Sequence, residues 1–360
     1  MIDIPFISFH ITNQCNLNCS NCYTLSNYNF TGHSLWEDHQ EYYAVWSKKI
    51  NLGKFAIYGG EPLLNPSVLD WFKGVAKLWP NANGEMTTNG YALNEKNKEL
   101  YDIFKNSNGK YYLHVSHHNP DTIDFLFKKI NNWIVGPTTI ERVYIDAAEV
   151  IPFSNDYADI PHLEENLISS YDKVRGDSWT EINSLNDWKN LPDWIKQECI
   201  QLHHVSPQHI AEETLSWKIV DSNEVIVIVS TNTQFETGAL ILKEDQSGFK
   251  WHQSNPVKAH DVCGNRNCIE FYNGSLHKCN TAGHFEEFQK QFNVDLDEVD
   301  QAILKDYQPA TIDMSEYELK TWITNLKNPI AQCRFCPEVK NHQLVKATTK
   351  KIFLKKREQH

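Results

Sequence analysis

The stretch "FISFHITNQCNLNCSNCY" (residues 6–23) joins an apolar run to three cysteines within one short length of chain. Phe6–Ile11 is rich in β-branched and aromatic residues and reads as a strand. The cysteines are spaced Cys15-x3-Cys19-x2-Cys22, with Tyr23 directly after them. A structural zinc site closes on four protein ligands, and a fourth at compact spacing is found here only if His10 or His33 is recruited. Three thiolates without a fourth leave one coordination position open, on a loop leaving the end of a strand.

Outward from that loop the chain alternates. Trp36–Ile50 reads as a helix, and "KFAIYGG" (residues 54–60) as a second strand that ends in glycines. A helix over Pro66–Trp79 comes next, with proline suited to its first turn, then the strand "GEMTTNG" (84–90) and a helix over Asn94–Ser107. "YYLHVS" (111–116) is a fourth strand, Asp121–Asn132 a helix, and "ERVYID" (141–146) a fifth strand. Such alternation predicts an α/β fold on a parallel sheet, open or closed into part of a barrel, with the site in loops at the strand C-termini. Residues 150–220 are polar and rich in Trp, Asn and Asp. "NEVIVIVSTN" (223–232) and "GALILKED" (238–245) read as strands, with a hairpin turn at 245–248. The basic segment 346–360 reads as a solvated tail.

Composition limits the partners. The chain has 360 residues, 41% of them hydrophobic, enough for two or three domains with a real core. Its 34 basic and 46 acidic residues give a net charge of −12, which argues against a nucleic-acid or anionic-membrane partner held by bulk charge. The N-terminus has no basic segment ahead of an apolar one and no run is long enough to span a bilayer, so a cytoplasmic location is expected. Nine cysteines in a reducing compartment point to metal rather than disulfides. They fall as Cys15, Cys19 and Cys22; Cys263, Cys268 and Cys279; Cys333 and Cys336; and Cys199 alone. A lone cysteine such as Cys199 is ordinarily a buried core residue.

The second motif is "YGGEPLLNP" (58–66), at the end of the second strand. Together with the cysteine spacing it resembles the radical S-adenosylmethionine (radical SAM) enzymes: Gly59, Gly60 and Glu61 match the family's GGE. The resemblance implies a partial (β/α)6 TIM-like barrel and a 4Fe–4S cluster held by Cys15, Cys19 and Cys22, with SAM on the free iron. It further implies that Glu61 meets the SAM ammonium and Tyr23 lies beside the adenine. Thr88 and Asn89 in "TTNG", and Ser116 and His117 in "VSHHN", fall where the family contacts SAM. As plain structure, Tyr23 is a core aromatic and Asn89-Gly90 a common turn. "VYIDAAEV" (143–150) lacks the family's glycines at strand five. The chemistry so implied is reductive cleavage of SAM to methionine and a 5′-deoxyadenosyl radical that takes a hydrogen atom from substrate. A reductant such as flavodoxin or ferredoxin would supply the electron. Asp146 and Glu149, after strand five, are candidates for proton transfer.

"CGNRNCIEFYNGSLHKC" (263–279), with a hairpin at Asn273-Gly274, is similar to the start of SPASM and Twitch extensions. That likeness implies a small C-terminal domain, hairpin plus helix, with one auxiliary 4Fe–4S cluster acting as electron relay. Cys263, Cys268, Cys279, Cys333 and Cys336 compete for its four places. A zinc ribbon is the plainer reading of those cysteines. The expected division is 1–235 for the radical SAM partial barrel, irregular over 150–235, then 236–345 for the auxiliary domain. The resemblance leaves the substrate as a peptide or protein, or a small polar metabolite such as a sugar. No leader-recognition module precedes Phe6, which weighs against a peptide held by its leader. Nucleotide or modified-base tailoring, and a non-catalytic zinc-binding protein, are the alternatives.

Overall fold

The computed structural model describes residues 1–119, 122–134, 138–142, 216–231, 234–236, 238–245, 247–263, 269–339 and 342–344. The chain divides into two compact units, Met1–Met86 with Gln234–His360, and Thr87–Thr233.

In the first unit, β1 (Ile2–His10) and β2 (Ile50–Tyr58) pair in parallel from Ile2 against Ile50 to His10 against Tyr58. Between them runs α1 (Trp36–Lys49), and α2 (Val68–Leu78) leads on to β3 (Asn83–Thr88), parallel to β2. Each is a βαβ crossover, as the alternation predicts. Along the other side of β1 lies β11 (Glu270–Tyr272), also parallel, turning through Asn273 and Gly274, both at positive φ, into antiparallel β12 (Ser275–His277). Phe9 sits between the two helices and the hairpin, 5.0 Å from the Phe271 ring and 5.4 Å from that of Tyr43. Trp46 is fully buried and its indole N–H donates to the Gly274 carbonyl at 2.8 Å, fastening α1 to the hairpin.

The rest of this unit comes from the C-terminal segment. Strands β9 (Leu240–Leu242) and β10 (Phe249–Trp251) form a hairpin, and β8 (Gln234–Glu236) pairs with β13 (His342–Leu344). Helices α5 (Pro256–Asp261), α6 (Asn280–Gln291), α7 (Glu298–Lys305) and α8 (Glu316–Thr324) complete it. Its core contains Phe249, Trp251, Phe285, Phe288 and Phe292, and Leu25 and Phe30 from the N-terminal cysteine loop pack into it. The loop and the C-terminal segment therefore share one apolar interior.

The second unit holds α3 (Lys98–Lys105), β4 (Tyr111–His117), α4 (Ile123–Trp133), β5 (Thr138–Arg142), β6 (Ser216–Asp221) and β7 (Ile226–Thr231), with strand order β4-β7-β6-β5. Here the predicted fifth strand is corrected. The parallel neighbour of β4 is β7, not the segment around Glu141, and β5 and β6 run antiparallel. The sequences explain the choice: "IVIVST" is the near-continuous apolar run that a central strand needs, whereas "TTIER" carries the polarity of an edge. Asp221 fixes the β6–β7 turn, accepting from the backbone N–H of Asn223 at 2.8 Å and of Val225 at 3.0 Å, and the Tyr101 hydroxyl at 2.5 Å. Asp146, Glu149, Cys199, Cys268 and the tail from 346 lie outside the described residues. The sheet is mostly parallel and flanked by helices, an α/β architecture.

Candidate active site

The cysteine loop is held by backbone. Beyond β1 the Ile11 N–H donates to the Tyr58 carbonyl at 3.0 Å, and the Gly60 and Glu61 N–H groups reach back to the carbonyls of Thr12 and Gln14, each at 2.7 Å. The loop thus runs directly over the end of β2. Gly59 and Gly60 make that approach possible. A Cβ on Gly59, whose φ is +154°, would stand 2.5 Å from the Thr12 carbonyl oxygen, and one on Gly60 would stand 2.2 Å from that of Gln14. Glu61 is fully buried, and its carboxylate accepts the Leu63 N–H at 3.0 Å, capping the 3₁₀ turn Pro62–Leu64.

A residue the sequence reading passed over completes the clamp. Asn65 donates to the Ile11 carbonyl at 2.6 Å and the Ser34 carbonyl at 2.9 Å, and accepts the Ser67 N–H at 2.8 Å. It joins the start of the loop, its return and the entry to α2. Its signal was present as the asparagine of "GGEPLLNP", a residue type able to donate and accept at once.

Within the loop, Cys15 and Cys19 are buried and Cys22 is half-buried. The Leu17 N–H points at Cys15 Sγ at 3.4 Å, and Cys22 Sγ lies 3.2 Å from Thr24 Oγ1, itself 3.0 Å from Ser26 Oγ. Burial pushes the Cys19 thiol far up, and Cys22 and Cys15 push it further. A thiol as buried as Cys19 is a poor thiolate alone; a bound cationic centre reverses that, so the three-cysteine donor set fits an iron–sulfur cluster. Tyr23 is half-buried, and its carbonyl accepts from Asn280 Nδ2 at 3.2 Å, tying the loop to the first turn of α6.

The other predicted SAM contacts belong to the second unit. Thr88 and Asn89 are buried and shape a turn: Thr88 Oγ1 accepts the Gly90 N–H and Asn89 Oδ1 the Tyr91 N–H, each at 3.0 Å. Ser116 is half-buried on β4, and His117 is buried, 3.4 Å from Thr122 Oγ1. Burial holds the His117 imidazole down to about 4, against a backbone hydrogen bond with Asn119, so it is neutral near pH 7.

A second cysteine group lines one cavity: Cys263, Cys279, Cys333 and Cys336, with Lys278 and His260 beside them. Cys263 follows α5, Cys279 stands at the N-terminus of α6, Cys333 lies in the 3₁₀ turn Ala331–Phe335 and Cys336 directly follows it. Burial raises the Cys336 thiol strongly, with Cys279, Cys263 and Cys333 adding to it. Burial lowers the Lys278 ammonium, opposed by Cys333, Cys279 and Cys263. The four cysteines and Lys278 line that one cavity.

The Radical SAM superfamily family model matches residues 9–161. These residues are a Radical SAM superfamily domain. The match begins just ahead of the cysteine loop and includes the GGE turn. Curated relatives include the GTP 3',8-cyclase of Crocosphaera subtropica, 26% identical over 46% of this chain and 50% of that protein. The GTP 3',8-cyclase of Aquifex aeolicus is 23% identical over 74% of this chain and 86% of that one. The chain spans about half the length of the first of these relatives, and about a third of several others. A solved structure, "Crystal structure of BtrN in complex with AdoMet and 2-DOIA", aligns with a TM-score of 0.26 and 24% identity, covering 33% of this chain and 48% of that one. A domain of this family implies a 4Fe–4S cluster and SAM at this site. Among the described residues no helix is long and apolar enough to cross a membrane.

Proposed function

We propose that this radical SAM enzyme carries two clusters, the SAM-binding one on Cys15, Cys19 and Cys22 and an auxiliary 4Fe–4S cluster on Cys263, Cys279, Cys333 and Cys336. What supports the second assignment is the convergence of those four cysteines on one cavity. Held there, the first cluster would pass an electron from an external reductant to SAM for reductive cleavage, and the auxiliary one would offer a route for the electron left after hydrogen abstraction. The chain's own groups do the rest. Gly59 and Gly60 hold the cysteine loop against β2, while Glu61, Tyr23, Thr88, Asn89, Ser116 and His117 bind and orient SAM. Asp146 and Glu149 are the proton-transfer candidates. Four thiolates leave no auxiliary iron open, which favours electron relay over substrate anchoring. In this reading 236–345 is the SPASM- or Twitch-like segment, Cys268 competes for one of the same places, and the site lies in the cytoplasm.

The substrate reading is a small polar molecule. A nucleotide is the version favoured by a specific observation, since relatives matching up to 74% of this chain are named for a reaction of GTP; peptides and sugars are the comparison set. Anaerobic reconstitution with iron and sulfide tests the whole. The expected product is brown, with about eight irons per chain, and yields 5′-deoxyadenosine from SAM and dithionite. Cys279→Ala should lose about half the iron and keep SAM cleavage. A colourless protein holding zinc would sink the assignment. Deuterium passing into 5′-deoxyadenosine from labelled GTP, but from neither a labelled aminosugar nor a peptide, would fix the class.

A further inference from the structure

His10, at the end of β1, Glu270 on β11 and His284 on α6 meet in the core of the first unit, their side chains 0%, 4% and 1% exposed. One ligating atom of each lies within 4.8 Å of the others. The contacts crowd onto a single carboxylate oxygen. Glu270 Oε1 accepts the Tyr58 hydroxyl at 2.5 Å and His284 Nε2 at 2.8 Å, and His10 Nδ1 lies 3.3 Å away, while Oε2 has no hydrogen-bond partner.

The His10 contact is not a hydrogen bond. His10 Nε2 is 2.9 Å from Asn13 Oδ1, an amide oxygen that can only accept. The proton of that pair therefore sits on His10 Nε2. A neutral His10 therefore presents the lone pair of Nδ1 beside Glu270. Nδ1 indeed has no hydrogen-bond partner, although the carboxylate oxygen is 3.3 Å away. Two electron-rich atoms side by side in a core repel unless positive charge lies between them. In a tetrahedral site with bonds of about 2.0–2.1 Å, neighbouring ligand atoms stand roughly 3.3 Å apart without pointing at one another.

We propose that His10 Nδ1, Glu270 Oε1 and His284 Nε2 bind a divalent cation of the zinc or cobalt class, separate from both cysteine groups. His284 Nδ1 is without a hydrogen-bond partner, so the ring proton can sit there when Nε2 turns to the ion. The Nε2–Oε1 pair then opens by about half an ångström. Asn13 is the outer-shell acceptor that fixes the His10 tautomer. A polar cavity lined by Thr12, Asn13, His33, Tyr272 and Glu287 gives an approach, and the Tyr272 ring packs 4.0 Å from that of His284. The ion would tie the strand that feeds the first cysteine loop to the helix headed by Cys279.

The experiment uses the anaerobically reconstituted full chain, titrated with Co(II), desalted and analysed for metal and visible absorption. About one Co(II) per chain should be retained, with weak d–d bands and no sulfur-to-cobalt charge-transfer band, because the ligands are nitrogen and oxygen. Glu270→Gln and His284→Gln should each abolish retention, and Asn13→Ala should weaken it roughly tenfold or more. Iron content and far-ultraviolet circular dichroism report whether each variant is folded. If Glu270→Gln fails to fold, His284→Gln and Asn13→Ala decide. Absence of retained cobalt in the wild type, equal retention in the folded variants, or a thiolate charge-transfer band overturns the proposal, and a proton on His10 Nδ1 then balances Glu270.

Discussion

Cys15, Cys19 and Cys22 hang from one loop fastened by its own backbone, whereas Cys263, Cys279, Cys333 and Cys336 arrive from separate segments and meet because an apolar core brings them there. Around the first group the deciding contacts are Gly60 N–H to Thr12 and Glu61 N–H to Gln14, each 2.7 Å. Around the second they are side chains: Trp251 packs between Phe285 and Phe335, with ring centroids at 4.8 and 4.9 Å, beside the cavity the cysteines line. A loop clipped to a strand end tolerates little change at its clips. A cavity built by packing is sensitive instead to volume, and spreads the loss of one ligand over several elements. The two groups should therefore respond separately to substitution.

The largest effect expected is from Cys19→Ala. Formation of 5′-deoxyadenosine should fall to the level of a protein-free control while about half the iron remains, the mirror image of Cys279→Ala. Quantifying product by chromatography alongside iron checks both. If Cys19→Ala also emptied the auxiliary cavity, the two groups would not be independent. Such coupling has a visible route, through the Asn280 bond to the Tyr23 carbonyl and the seating of Leu25 and Phe30 among the C-terminal phenylalanines.

Next comes Gly60→Ala. The new methyl would meet the Gln14 carbonyl oxygen at 2.2 Å and Ser26 Oγ at 2.7 Å, and the first of these is backbone that cannot rotate away. Overpacking of this kind costs about 1–3 kcal/mol and moves the loop that carries the cysteines. Urea unfolding should show the loss, and SAM cleavage should fall further than stability does. Gly109→Ala is the contrast: its φ of +75° costs strain, but nothing lies within 4 Å and no cysteine depends on it. Its penalty should be about 1 kcal/mol, with cleavage intact. Equal loss of cleavage in both would refute the clamp.

These two regions also show where a sequence stops being legible. "GGE" and the cysteine spacing announce the first group because its geometry is local: glycines mark the close crossing and the loop follows its strand directly. The hairpin at Asn273-Gly274 was readable for the same reason, both residues lying at positive φ. The strand next to β4 was not, because residues 143–215 separate β5 from β6 and only pairing decides which apolar run takes the central place. His10 and Glu270 illustrate the same limit, being brought together by the parallel register of β1 against β11, which no spacing encodes. Asn65 lies between the extremes, adjacent to a recognised motif yet informative only once the two carbonyls it spans are known.

Asn65→Ala should be milder than Gly60→Ala. It removes four hydrogen bonds, the fourth from the Ser67 hydroxyl at 3.2 Å, yet the Ile11 carbonyl still accepts the Ser34 N–H at 2.9 Å and the Ser34 carbonyl still accepts the Trp71 indole N–H at 2.7 Å. Neither carbonyl acceptor is left bare, so the cost should be about 1–2 kcal/mol rather than the sum of four bonds. Denaturant midpoints with an unchanged m-value would report it. A loss as large as that of Gly60→Ala would mean that side chains, not the glycine crossing, carry the loop.

The smallest expected effect gives the finest test of the same distinction. Thr24 is buried, and its hydroxyl links Cys22 Sγ at 3.2 Å to Ser26 Oγ at 3.0 Å. Thr24→Val keeps the shape and removes that link. Ser26 Oγ retains the Thr24 carbonyl as an acceptor at 3.3 Å, so no buried donor is stranded. The cost should be about 0.5–1.5 kcal/mol, with iron content unchanged. A cysteine held by backbone keeps its cluster when such a hydroxyl is lost; loss of iron from Thr24→Val would mean that hydroxyl contacts secure the first group as side-chain packing secures the second.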